Sequence, residues 1–179
     1  MSYTSQARGV DRFLEGDAAP DQIFEELVSI KSENAIGETG RKRLLPWLRG
    51  KNDVVVVICD PRPKSSEFRD AVKHLRKSLP KDLFRKTVFV NADTPAENRR
   101  WLKKANMMTE VEEGGGVTLY SDEKMEWMRT YTALGETRWS MTMYVLADER
   151  IQKLVRELSS INVSEVVRKA VNAAQQRRL

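Results

Sequence analysis

The sequence predicts an α/β fold, a three-layer α/β/α sandwich about a mixed central sheet with a helical extension at the N-terminus. Three observations predict it. Val54-Val55-Val56-Val57-Ile58-Cys59 is a continuous, β-branched run, as a strand covered on both faces requires. Strand-like runs at 87–90 and 117–120 follow, each set off by an amphipathic helix, and that alternation demands parallel pairing with right-handed crossovers. The last two runs, 143–146 and 151–155, are joined through the turn Asp148-Glu149-Arg150 and read as an antiparallel hairpin.

Taken in order, residues 1–50 read as an arm and helical extension, and 51–179 as the domain proper. Residues 1–19 are polar and uneven. Pro20-Asp21 opens a helix with Ile23, Phe24, Leu27 and Val28 at i, i+4 spacing, ending near Ser32. Residues 37–50 place Leu44, Leu45, Pro46 and Trp47 among basic residues, a short helical turn or ordered loop. Asp60-Pro61-Arg62-Pro63 ends the first long strand, because proline cannot donate to a ladder. Ser65 or Ser66 caps a helix whose stripe is Phe68, Ala71, Val72, Leu75 and Leu79, and Pro80 closes it. Thr94-Pro95-Ala96-Glu97 is a capping box with proline at the first helical position; Trp101, Leu102 and Ala105 form the inner face. Gly114-Gly115-Gly116 is a flexible break, without the lysine and hydroxyl ending of a phosphate loop. Ser121 caps the next helix, with Asp122 and Glu123 near its positive end and Met125, Met128 and Tyr131 at helical spacing. Ser164 caps a last helix with Val166, Val167, Ala170, Val171 and Ala174 on one face.

Composition narrows the function classes. A chain of 179 residues suits one domain with an extension, and 40% hydrophobic with 32% charged residues is an ordinary globular balance. No apolar run approaches the roughly 18–20 residues of a membrane span, so no membrane insertion is expected. The single cysteine, Cys59, excludes an internal disulfide, a Cys-x-x-Cys pair and a multi-cysteine metal site. The single histidine, His74, excludes most zinc sites and any histidine-based triad, so neither metal nor cofactor is expected. A reducing intracellular compartment, mitochondrial matrix or cytoplasm, fits one free thiol. A formal charge of +5 and a pI near 9.4 favour acidic partners without choosing between RNA, acidic proteins and anionic membrane surfaces.

Three stretches carry a family likeness. Val117-Thr118-Leu119-Tyr120-Ser121-Asp122 with its following helix resembles the peroxiredoxin strand that ends in Ser-Asp. Tyr144-Val145-Leu146-Ala147-Asp148-Glu149-Arg150-Ile151 is similar to that family's closing hairpin, and residues 51–79 to the first strand and first long helix of thioredoxin-like proteins. The resemblance, to peroxiredoxin-like (AhpC/TSA-like) proteins, covers roughly residues 51–174 and implies a thioredoxin-like fold. It also implies a peroxidatic cysteine near the start of the first long helix, after a Pro-x-x-x-Thr approach. Here Pro61 and Ser65 repeat the spacing, and Phe68 stands where that cysteine is expected. Neither serine nor phenylalanine can form a sulfenic acid. The dipeptide corresponding to the family's cis-proline is Met141-Thr142.

Candidate site residues follow. Cys59 reads as a small apolar core residue ending a buried strand, or as a displaced one-cysteine nucleophile that Arg62 and Lys64 would activate if it were exposed. His74 is a boundary residue, and Arg138 a surface salt-bridge partner or the remnant of an anion site. Two basic clusters are candidate partner-binding surfaces: Arg41, Lys42, Arg43 and Arg49 around Trp47, and Arg99, Arg100, Lys103 and Lys104 around Trp101. The competing reading buries the tryptophans and leaves the cations solvated. The expected function is therefore a non-catalytic, thioredoxin-like structural or adaptor subunit of a larger assembly, such as an organellar ribosome or respiratory complex, and not an enzyme. Its partners would be protein subunits, with RNA a further candidate. The alternatives are a one-cysteine peroxidase using Cys59 and a stand-alone RNA-binding protein.

Overall fold

The computed structural model describes residues 13–20, 27–30, 54–108, 117–131 and 140–177. Its strands are β1 (Val28–Ser29), β2 (Val54–Asp60), β3 (Thr87–Asn91), β4 (Thr118–Ser121), β5 (Met141–Ala147) and β6 (Arg150–Leu158). They form one mixed sheet in the order β1-β4-β3-β2-β5-β6. Parallel pairing joins β2 to β3 and β3 to β4, while β5 runs antiparallel to both β2 and β6. Every residue of β2 is buried, which is why its sequence is apolar without alternation.

The helices are α1 (Ser66–Ser78), α2 (Lys81–Arg85), α3 (Pro95–Lys104), α4 (Glu126–Thr130) and α5 (Val163–Gln176). The pleat of β2 divides them between two faces. Val54, Val56 and Ile58 share a core with Phe68, Ala71, Val72 and Leu75 of α1, Phe84 of α2, Trp101 and Leu102 of α3, and the buried stripe of α5. Val55, Val57 and Cys59 point the other way, into a second core with Trp127 and Met128 of α4, Tyr131, Tyr144, Ala19 and Leu27. The result is the expected sandwich of helices, mixed sheet and helix.

Local chemistry explains the boundaries. The Ser65 hydroxyl accepts the Phe68 N–H at 3.2 Å and starts α1. Thr94 and Glu97 exchange both bonds of the expected capping box. The β5–β6 hairpin turns through Asp148 and Glu149 alone, both left-handed (φ 53° and 60°), with Arg150 already opposite Ala147.

Four local expectations change. Leu27 and Val28 do not lie in a helix, because Val28–Ser29 pairs with Tyr120 and Ser121 as an antiparallel edge strand. Pro80 closes α1 but also opens the short helix α2, whose five residues are too few for a periodic signal. Ser121 does not cap α4; it ends β4. The N-cap position is Met125, left-handed at φ 57°, and the Asp122 carboxylate reaches past it to accept the Trp127 and Met128 N–H groups at 3.2 and 2.9 Å. Ser164 lies inside α5, and its hydroxyl pairs with that of Ser78 on α1. The glycine run 114–116, residues 37–50, Arg138 and the boundary between residues 50 and 51 lie outside the described residues.

Candidate functional site: the thiol face and the polar strand ends

The C-terminal ends of β2, β3 and β4 turn polar together: Cys59-Asp60, Asn91 with Asp93, and Ser121-Asp122 are all buried. In an open α/β sheet this edge is where functional groups converge. Asp60, 0% exposed, accepts the Arg62 backbone N–H (2.9 Å), Nε (3.0 Å) and Nη2 (2.8 Å). That pairing, reinforced by Glu67 at 3.0 Å, holds the Arg62 guanidinium above its ordinary pKa and folds the β2–α1 loop back on itself. Asp93 pins the other side of the loop. It accepts the Lys64 N–H at 2.6 Å, with Lys64 left-handed at φ 52°, and Arg69 Nη2 at 3.1 Å. The Arg69 guanidinium lies 5.8 Å from the Trp101 ring centroid.

Beside it is a closed amide network. Asn91 and Asn98 exchange two side-chain hydrogen bonds of 2.8 Å. Asn98 also donates to the Ser121 hydroxyl at 2.7 Å and accepts Trp101 Nε1 at 2.9 Å. Nothing in the apolar pattern announces this cluster. Its only trace in the sequence is that three consecutive buried strands each end on a polar residue.

Cys59 stands on the opposite face. Its side chain is 0% exposed and its thiol donates to the Thr142 carbonyl at 3.5 Å. Burial raises its pKa well above the ordinary thiol value. The charges of Asp60 and Asp122 push the same way, while Arg156 and the Thr142 bond oppose them weakly. Burial also raises the Asp122 carboxyl, against the pull of the backbone N–H groups it accepts. The α1 N-terminus, which would stabilise a thiolate, serves the other core: Ser65 is spent as its cap, and Phe68 packs edge-on against Phe89 at 6.2 Å. Arg62 and Lys64 do not activate Cys59, because their charged and backbone groups are turned to Asp60, Glu67, Glu97 and Asp93.

The basic clusters separate. Arg41, Lys42, Arg43 and Arg49 lie outside the described residues, as does Trp47. On α3, Arg100, Lys103 and Lys104 are exposed, whereas Trp101 is buried. Arg99, expected at a partner surface, is only 6% exposed, and desolvation lowers its pKa; it is removed from that surface because it is folded into this chain. His74 is exposed on α1, and Arg177 donates to the Gln152 carbonyl. A groove of about 360 Å³ between β6 and α5 is floored by Val155, Val166 and Ala170. Two of its rim cations, Lys153 and Lys169, are already matched by Glu15 and Glu165. Among the described residues no group of three metal-ligating side chains comes together, and no helix is long and apolar enough to cross a membrane.

No family model and no curated protein sequence matches the chain. Solved structures do. A peroxiredoxin-like protein from Aquifex aeolicus superposes with a TM-score of 0.61 at 17% identity, over 90% of this chain and 88% of that one. The reduced 2-Cys peroxiredoxin of Plasmodium vivax gives 0.64 at 17% identity, over 93% and 100%. The peroxidoxin BcpB of Mycobacterium tuberculosis gives 0.63 at 15%, over 89% and 96%. The fold is therefore the thioredoxin-like α/β fold of peroxiredoxins. This corrects the expectation that the chain is not an enzyme: the solved structures that share its architecture are named as peroxiredoxins and peroxidoxins.

Proposed function

We propose, from a fold shared with peroxiredoxins, that the chain is a thiol peroxidase of the one-cysteine kind with Cys59 as nucleophile. One observation carries the reading: the only thiol of the sequence sits at the C-terminal end of the central strand of a peroxiredoxin-like sheet. In the reaction the Cys59 thiolate attacks one peroxide oxygen. The S–O bond forms as the O–O bond breaks, sulfur is oxidised to sulfenic acid, and the second oxygen leaves as hydroxide or alkoxide and takes a proton from water. With no second cysteine to resolve it, the sulfenic acid is reduced by two molecules of a small external thiol. The first displaces water and forms a mixed disulfide, and the second releases Cys59 and departs as the oxidised dimer.

Burial and the raised thiol pKa set the rate: the closed protein holds almost no thiolate at neutral pH, so turnover is slow and depends on local opening. The test is peroxide consumption with dithiothreitol as reductant. Wild-type protein is expected to consume peroxide above background and to trap dimedone as a sulfenic acid adduct, and Cys59→Ser to do neither. Equal consumption by the two proteins overturns the proposal.

A second reading concerns a partner and rests on the exposed cations Arg100, Lys103 and Lys104, which lie close together on α3. We propose that this surface docks an acidic protein in a reducing compartment. Triple reversal to glutamate is expected to abolish co-purification of the partner with the tagged chain, and full retention of the partner would refute the docking role.

A further inference from the structure

The second core, which holds Cys59, is closed along one edge by residues 13–20. This segment lies along the outer edge of β6: Gly16 N–H donates to the Ile151 carbonyl (2.6 Å), Ile151 N–H to Asp17 (2.8 Å) and Ala19 N–H to Glu149 (2.8 Å). Gly16, at φ 95°, supplies the left-handed turn that brings the chain onto the strand. Side chains add to the backbone ladder. Arg150 Nη1 donates to the Gly16 carbonyl at 2.9 Å, Lys153 pairs with Glu15 at 3.2 Å, and Glu15 accepts the Leu154 N–H at 3.3 Å.

The same segment holds α4 in place. The Tyr131 hydroxyl donates to the Pro20 carbonyl at 2.9 Å, and the Phe13 and Tyr131 rings lie 6.3 Å apart. Tyr131 closes the C-terminal end of α4, stacks on Trp127 at 4.1 Å and meets Tyr144 edge-on. A five-residue helix cannot sustain itself. α4 is held by the Asp122 carboxylate at its start and by the 13–20 segment at its end. It also adjoins the thiol: Trp127 and Met128 share the Cys59 core, and the charge of Asp122, just ahead of the helix, acts on Cys59 after that of Asp60.

The closed arrangement is weakly held on the segment's own side. Of residues 13–20 only Ala19 is buried, and Leu14 is 66% exposed. Among the described residues the closed core also retains an unmet polar group, because Trp127 Nε1 is buried without an acceptor there. A segment with few buried contacts and solvent-facing hydrogen bonds opens before the sheet does.

We infer that residues 13–20 are a latch: their release from β6 frees Tyr131 and α4 and exposes Cys59. Accessibility of the thiol needs no catalysis, but the latch's role as a control on turnover rests on the peroxidase reading. The test follows the rate at which Cys59 reacts with dithionitrobenzoate in the native, full-length chain. Arg150→Gln with Lys153→Gln loosens the latch from the β6 side without touching the Cys59 core, and is expected to speed labelling by about three- to tenfold, the response of an opening equilibrium to the loss of one or two part-exposed interactions. Ser65→Ala removes the α1 cap on the far face and destabilises the whole fold by a similar amount; it is expected to leave labelling within about twofold of wild type. The latch is overturned if the double variant labels at the wild-type rate, or if Ser65→Ala accelerates labelling as much, since opening would then be global. Faster labelling without any Cys59-dependent peroxide consumption supports the latch and removes the peroxidase reading alone.

Discussion

Asn98→Ala is expected to destabilise the fold by about 3–5 kcal/mol, far more than the volume removed would suggest. Asn98 is fully buried and is the hub of four hydrogen bonds: two to Asn91, one to Ser121 and one from Trp101. Truncation leaves the Asn91 amide, the Ser121 hydroxyl and the Trp101 Nε1–H in a region closed to water. Each buried group deprived of its partner costs about 1–3 kcal/mol. Asn91 keeps one long bond, to Asp93 at 3.4 Å, which moderates the loss. In urea unfolding the midpoint falls at constant slope, and in a thermal scan Tm drops by roughly 10 °C for a chain of this size. Ser121→Ala, which removes a single partner, is expected to cost about 1 kcal/mol. If Asn98→Ala cost no more than Ser121→Ala, the network would not be the cooperative unit its geometry describes.

That network also shows where sequence reasoning ended. The sheet was legible because its cause is one-dimensional. A strand buried on both faces must read as a continuous apolar run, as residues 54–59 do, and a capping box must read as Thr94-Pro95-Ala96-Glu97. Asn91, Asn98 and Ser121 are far apart in the chain and meet only because β3, α3 and β4 are laid side by side, so no spacing rule finds them. Asp122, not Ser121, accepts the free N–H groups at the start of α4 for a related reason. The Ser121 hydroxyl was already committed to Asn98, a tertiary contact that overrides a local preference. Val28 looks helical in the sequence because an i, i+4 apolar pair has the same appearance on a helix and on a short edge strand. What decided it was the vacant edge of β4. Arg99 shows the same limit among the charged residues: a basic run on a helix looks solvated, yet one member of this run is buried.

Cys59 gives the second large effect, in its response to pH. The reacting species is the thiolate, and burial with two nearby carboxylates holds the native pKa well above 9.0. Labelling of wild-type protein is therefore expected to rise about tenfold per pH unit from pH 7 to 9, roughly 100-fold in all, without the plateau that an exposed thiol shows near its ordinary pKa of about 8.5. Opening of the latch does not change this. Reaction through a minor open form draws thiolate from a reservoir that is mostly closed and protonated, so the observed profile still follows the pKa of the closed form. The same shift acts on stability, and its sign is fixed by linkage. The native state binds the thiol proton more tightly than the unfolded chain. Its contribution is therefore complete below the unfolded pKa and is lost as pH rises from there towards the native value. Above about pH 9 the wild type should lose up to about 1.4 kcal/mol per pH unit relative to Cys59→Ser, which has no proton to lose at that site. Denaturation midpoints measured in parallel from pH 7 to 10 check this. Parallel curves for the two proteins, or a labelling rate that levels off by pH 8.5, would mean that Cys59 titrates as an ordinary solvated thiol and that the closed second core does not govern its chemistry.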